Sequence, residues 1–184
     1  MFARWAARRR PQIRASRWDP GRELRAERRA RELLRSVVSA REAEAYERLG
    51  FISVPGNGDP ASGYAYLIYP HRPLIAYDTR TRELLCEYCV GFPDRSEAEF
   101  GQRLPDSDDV LAKWMALRGG ERDLIAAANM HLPGRQVDPQ QVRRDLVCLR
   151  EWQALEERRR GPLEERRRGP LEERRQGPLA RRAA

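Results

Sequence analysis

The chain has 184 residues, 35% of them charged and 8% aromatic, with a net charge of +8. That length allows one ordinary domain, and a core is possible only where apolar residues concentrate, which they do between residues 45 and 130. Three cysteines do not make a disulfide framework, and no apolar run approaches the ~20 residues of a membrane span, so a cytoplasmic location without a membrane partner is expected.

Residues 1–18 hold six arginines and no acid. They read as a disordered basic arm in which Trp5 and Trp18 interleave with Arg4, Arg8, Arg9, Arg10, Arg14 and Arg17. Such a composition neutralises phosphates and stacks on exposed bases. No apolar segment follows the arginine run, which argues against an export signal. Residues 51–150 carry twelve basic and fourteen acidic groups, so the basic surplus belongs to the ends of the chain. Attraction to phosphate is therefore expected from the arm rather than from the folded part.

Residues 19–38 predict a helical extension, with Asp19 as N-cap, Pro20 in the first turn, and a partial stripe of Leu24, Leu33, Leu34, Val37 and Val38. A second helix follows in "SAREAEAYERLG". Ser39 and Glu42 have capping-box spacing, and Gly50 stands where a left-handed C-terminal residue belongs. Four strand-like segments come next, at 51–54, 64–69, 74–78 and 83–90. The stretches "PGNGDPASG", "PHRP" and "TRTR" between them are too short for parallel crossovers, so the strands form an antiparallel meander. A long helix opens at Asp106, read as its cap, and buries Val110, Leu111, Trp114, Leu117, Leu124, Ile125 and Ala128, with a kink expected at Gly119-Gly120. Residues 138–160 predict another helix, capped by Asp138, with Pro139 in the first turn and Gln141 completing a box. Residues 161–184 repeat "PLEERRRG" with a period of eight, and the Gly-Pro step in each period reads as a helix breaker in a mostly disordered tail. The expected fold is α+β: a small four-stranded antiparallel sheet over residues 39–131, packed by flanking helices.

The segments "SAREAEAYERLGFISV", "YAYLIYPHR", "EYCVGFP" and "LPDSDDVLAKWMALRGGERDLIAAANMH" resemble a family of small actinobacterial and actinophage domains. Members share a helix ending "YERxG", a four-strand meander, a Cys-x-His-Pro step and a closing "PDxDxxLA…AN" helix. The resemblance covers residues 39–131, implies a common fold and implies no activity. Where the family pattern has Cys-x-His-Pro this chain reads Cys89-Val90-Gly91-Phe92-Pro93, without the histidine.

Candidate chemistry is sparse. Strand alternation puts Cys86 on one face with Leu84, Tyr88 and Val90, and Cys89 on the other with Leu85 and Glu87, so the pair reads as two strand-core thiols rather than a redox or zinc motif. His71 reads as an exposed turn residue and His131 as a helix-end residue. Asp106, Asp108 and Asp109 read as acids suited to a helix N-terminus rather than a cation site. No catalytic, cofactor or metal residue is assigned. The reading is a non-enzymatic interaction or accessory protein. Its partner is a protein or the nucleic-acid phosphate backbone, contacted through Arg4, Trp5, Arg8, Arg9, Arg10, Arg14, Arg17 and Trp18. The alternative is a small thiol- or histidine-dependent enzyme using Cys89 with His131 or His71, and Asn129 beside them.

Overall fold

The computed structural model describes residues 21–92 and 104–168, with side chains to residue 159. The arm residues, the Asp19-Pro20 start signal and most of the octapeptide repeat lie outside the described residues. The described elements are α1 (Arg22–Val37), α2 (Ala40–Leu49), β1 (Ile52–Pro55), β2 (Tyr64–Ile68), β3 (Leu74–Asp78), β4 (Leu84–Cys89), α3 (Asp106–Ala127), β5 (Asn129–His131) and α4 (Pro139–Arg168).

The fold is α+β, and the sheet is an antiparallel meander in the order β1-β2-β3-β4-β5. The fifth strand is an addition to the expected four. α3 ends at Ala127, and the chain then reverses along the free edge of β4, pairing Asn129 with Cys89 and His131 with Glu87. His131 is therefore a strand residue and not a helix-end residue, so the expected dipole partner is absent.

Period-two alternation splits the strands between two cores. Ile52, Val54, Tyr66, Ile68, Leu74, Ala76 and Cys86 face α1 and α3. Phe51, Ala65, Leu67, Tyr69, Ile75 and Tyr77 face α4, whose Val142, Leu146, Leu149 and Trp152 are buried against them. α2 sits at the β1 edge and feeds both cores, with Ala43 and Tyr46 on one side and Ala45 and Leu49 on the other. The segments read as helical extensions thus cover the two faces of the sheet. Full burial of each large aliphatic side chain stabilises by ~1.5–3 kcal/mol, so both layers contribute substantially. Of the stripe expected on α1, Leu34 and Val38 are buried, whereas Leu24, Leu33 and Val37 are exposed.

The helix signals are met unevenly. Ser39 and Glu42 close a full capping box, and Gly50 adopts φ 78° at the C-cap of α2. The kink in α3 falls at Gly120, which leaves helical geometry at φ −176°, ψ 67°. Asp106 is the first residue of α3 rather than its cap, and Pro105 at the cap position offers no side-chain acceptor. The acceptor comes from another helix: Glu27 of α1 takes the Ser107 N–H at 3.1 Å and the Ser107 hydroxyl at 2.6 Å. At α4, Asp138 accepts from the Gln140 N–H, but Gln141 reaches forward to Asp145 instead of back, so no box forms. α4 also runs past the expected stop at residue 160, through Gly161 and Pro162 to Arg168. Proline at 162 removes one intrahelical bond, while the Glu and Arg residues on both sides are strong helix formers.

Candidate functional site

Cys86 and Cys89 do not form a unit. Cys86 is buried in the α1/α3 core and donates weakly to the His131 carbonyl at 3.3 Å, whereas Cys89 is exposed at the end of β4. The expectation of two core thiols therefore holds for Cys86 and fails for Cys89. The expected alternation also breaks upstream. Ala76 lies opposite Cys86 and Tyr77 opposite Leu84, so Leu85 is an extra, bulged residue, half exposed, and Leu84 turns to the α4 face.

Register places Cys89, Asn129 and His131 on one face of the β4–β5 edge, with Cys89 opposite Asn129 and His131 opposite Glu87. No hydrogen bond links the Cys89 thiol to an imidazole among the described residues. His71 belongs elsewhere, in the β2–β3 turn at φ 54°. Its Nε2 lies 3.0 Å from Asp106 Oδ1, and its backbone N–H donates to Asp109 Oδ2 at 2.7 Å. The imidazole is therefore part of a clamp on the turn rather than a solvated turn residue.

Three of the buried charged groups, Lys113, Asp109 and Glu87, fasten loops, whereas Glu156 pairs with Arg159 along α4. Lys113 is the single lysine of the chain, and its side chain is 1% exposed. Its ammonium donates to Asp109 Oδ2 at 2.6 Å and to the carbonyls of Tyr69 at 3.0 Å and Arg72 at 2.8 Å. Three donors meet three acceptors, and the β2–β3 turn is fastened to α3. Glu87, 2% exposed on the α4 face, accepts from the N–H groups of Gly134 at 2.7 Å and Gln136 at 2.9 Å and so holds the loop between β5 and α4. Burial works to raise the Glu42 carboxyl, but the Trp114 indole, Ser39 and Arg118 outweigh it and hold Glu42 below the usual carboxylate range.

Glu121, placed just after the kink at Gly120, gathers a further network. Its Oε1 accepts from the hydroxyls of Tyr64 at 2.7 Å and Tyr66 at 2.9 Å, and its Oε2 accepts from the Asn57 N–H. A cleft of about 440 Å³ opens between α2 and α4, with Arg41, Arg82 and Arg118 among its walls. Arg41 lies over the Trp152 ring, 5.7 Å from its centroid, and Arg82 donates to the Leu146 carbonyl at 3.2 Å. The buried Trp152 indole N–H has no hydrogen-bond partner among the described residues.

None of these networks was legible as a site in the sequence, because each is closed by contacts between residues 38 or more positions apart. The sequence signals that mark them are the solitary lysine and three tyrosines, Tyr64, Tyr66 and Tyr88, which alternation places on one face. The arm residues Arg4, Trp5, Arg8, Arg9, Arg10, Arg14, Arg17 and Trp18 lie outside the described residues. Among the described residues, no cluster of three or more His, Cys, Asp or Glu side chains could hold a metal, and no helix is long and apolar enough to cross a membrane. The chain matches no family model, no curated protein and no solved structure.

Proposed function

We propose that the chain is a non-enzymatic interaction protein, in which a tightly clamped α+β core carries an arginine-rich arm that contacts phosphate. One observation carries this reading. The buried ionisable groups Lys113, Asp109 and Glu87 are committed to backbone N–H and carbonyl groups that fasten loops, which is scaffold chemistry rather than a poised acid, base or nucleophile. In the arm, Arg4, Arg8, Arg9, Arg10, Arg14 and Arg17 neutralise phosphates and Trp5 and Trp18 stack on bases, a mode with little sequence preference.

A thiol-dependent enzyme is the second reading, because Cys89, Asn129 and His131 share one sheet face at an accessible edge. Thiol titration of the purified protein separates the two. On the proposed reading Cys89 reacts with thiol reagents no faster than a cysteine in an unstructured peptide. A single thiol with strongly depressed pKa that reverts on His131→Ala would establish the enzyme reading instead.

A further inference from the structure

A hollow of about 560 Å³ lies between the second half of α3 and the sheet. Tyr64 and Tyr66 stand two apart on β2 and Tyr88 on β4, all on the α3 face. Ala76 of β3, opposite Tyr66, is the small residue whose missing bulk leaves the space between them. The rings are set as walls rather than a stack: Tyr64 and Tyr66 lie 5.8 Å apart at 86°, and Tyr66 and Tyr88 lie 6.3 Å apart at 62°.

The walls are fixed before any ligand arrives. Gly56 lies flat against the Tyr64 ring, where an added Cβ would come to 2.1 Å of Cε2. The Tyr64 and Tyr66 hydroxyls both donate to Glu121. Three tyrosine rings and a carboxylate lining one hollow form an environment for a cation. The kind of cation follows from hydrogen bonding. The Glu121 oxygens already accept from two phenols and the Asn57 N–H, and the rings offer no further strong acceptors. A primary ammonium would bring three donors with too few partners, whereas a trimethylammonium group brings none. Arg122, exposed at the rim of the same hollow, would repel a simple cation but suits a ligand that carries an anion a few bonds away.

We infer that the hollow binds a small quaternary ammonium compound with its own carboxylate or phosphate, the trimethylammonium head among Tyr64, Tyr66, Tyr88 and Glu121 and the anion at Arg122. The test is titration of the full chain with glycine betaine, followed by tyrosine ring NMR signals and calorimetry. Tert-butylacetate, which keeps the carboxylate and shape but lacks the positive charge, serves as control. Glycine betaine should give saturable shifts confined to the three tyrosines, and tert-butylacetate should bind about tenfold or more weaker. Tyr88→Leu, at the partly exposed wall, should also weaken betaine about tenfold while the protein melts normally. Arg122→Gln should weaken betaine but leave choline, which lacks the anion, unchanged. Absence of saturable shifts, equal binding of tert-butylacetate, or unchanged betaine affinity in Tyr88→Leu would overturn the assignment. Equal loss of betaine and choline in Arg122→Gln would overturn the role given to Arg122.

Discussion

Lys113 Nζ lies 2.6 Å from Asp109 Oδ2, one helical turn away, and both side chains are withdrawn from water. The pair is completed by two turn carbonyls on the ammonium and the His71 N–H on the carboxylate. Removing one partner strands the other charge, which costs about 3–5 kcal/mol in a buried pair. Lys113→Met should therefore destabilise the protein by that amount and strip hydrogen-exchange protection from the turn around His71. Lys113→Arg should also destabilise, since a planar guanidinium does not fit the pyramidal set of acceptors. A chemical-denaturation difference under about 1 kcal/mol for Lys113→Met would refute the clamp.

Glu87 is a buried carboxylate on the α4 face of the sheet, and it is held by the Gly134 and Gln136 N–H groups. Glu87→Gln turns one acceptor into a donor facing a donor. The expected loss is about 1–3 kcal/mol, with faster amide exchange at Gly134 and Gln136 but not in β2 or β3. Uniform acceleration across the sheet would show that the residue supports global stability rather than the loop.

All six tyrosines have phenol pKa values above the ordinary value near 10 in the folded state. For Tyr64, pushed up to about 12, the hydrogen bond to Glu121 is the main cause, and for the other five it is burial. A raised folded-state pKa means the neutral phenol is favoured in the fold, so the contribution is fully present below about pH 10 and is lost as pH rises through the folded values. Ultraviolet titration of native protein should show no phenolate with the unperturbed pKa, and unfolding at high pH should release all six together. A tyrosine ionising in the native protein with the ordinary value would contradict the packing described.

Gly56→Ala forces the Tyr64 ring off its seat, because the new methyl would meet ring carbons at 2.1 to 2.6 Å. Strain of this kind costs about 1–3 kcal/mol. The variant should melt lower and lose the elevated Tyr64 phenol pKa. An unchanged Tyr64 titration would mean that the ring is not held by that contact.

Near the expected end of α4, Arg159 bonds to Glu156 at 2.6 Å. An octad offers one leucine against the ordering of eight residues at about 1–2 kcal/mol each, so truncation after Arg160 should lower the melting temperature by less than about 4 °C. A larger loss would show that the repeat docks on the core.

Local signals carried in part from sequence to structure: Asp106 as cap, the Asp138–Gln141 box and the Gly161-Pro162 stop failed, while others held. The Ser39 capping box, the left-handed Gly50, the kink at Gly119-Gly120 and the meander depend on residues close in the chain, and each is present. Long-range features did not carry. β5 is three residues without alternation and exists because β4 has a free edge. The bulge at Leu85 reverses the facing of Leu84, which no two-residue pattern announces. The cap of α3 comes from Glu27, eighty positions away from Ser107. The candidate ligand hollow was illegible for the same reason: its shape depends on Ala76 between two tyrosine-bearing strands and on a helix kink that aims Glu121 back at them.

The most direct test of the proposed function is single-stranded nucleic-acid binding by the full chain and by a chain lacking residues 1–18, measured across a range of salt. With about five phosphates neutralised by the six arm arginines, log affinity should fall against log salt with a slope near about −3.5, independent of sequence, and the truncated chain should retain little binding. Undiminished binding without the arm would contradict the account and move the contacts to the folded core, where Arg41, Arg82 and Arg118 already line one cleft.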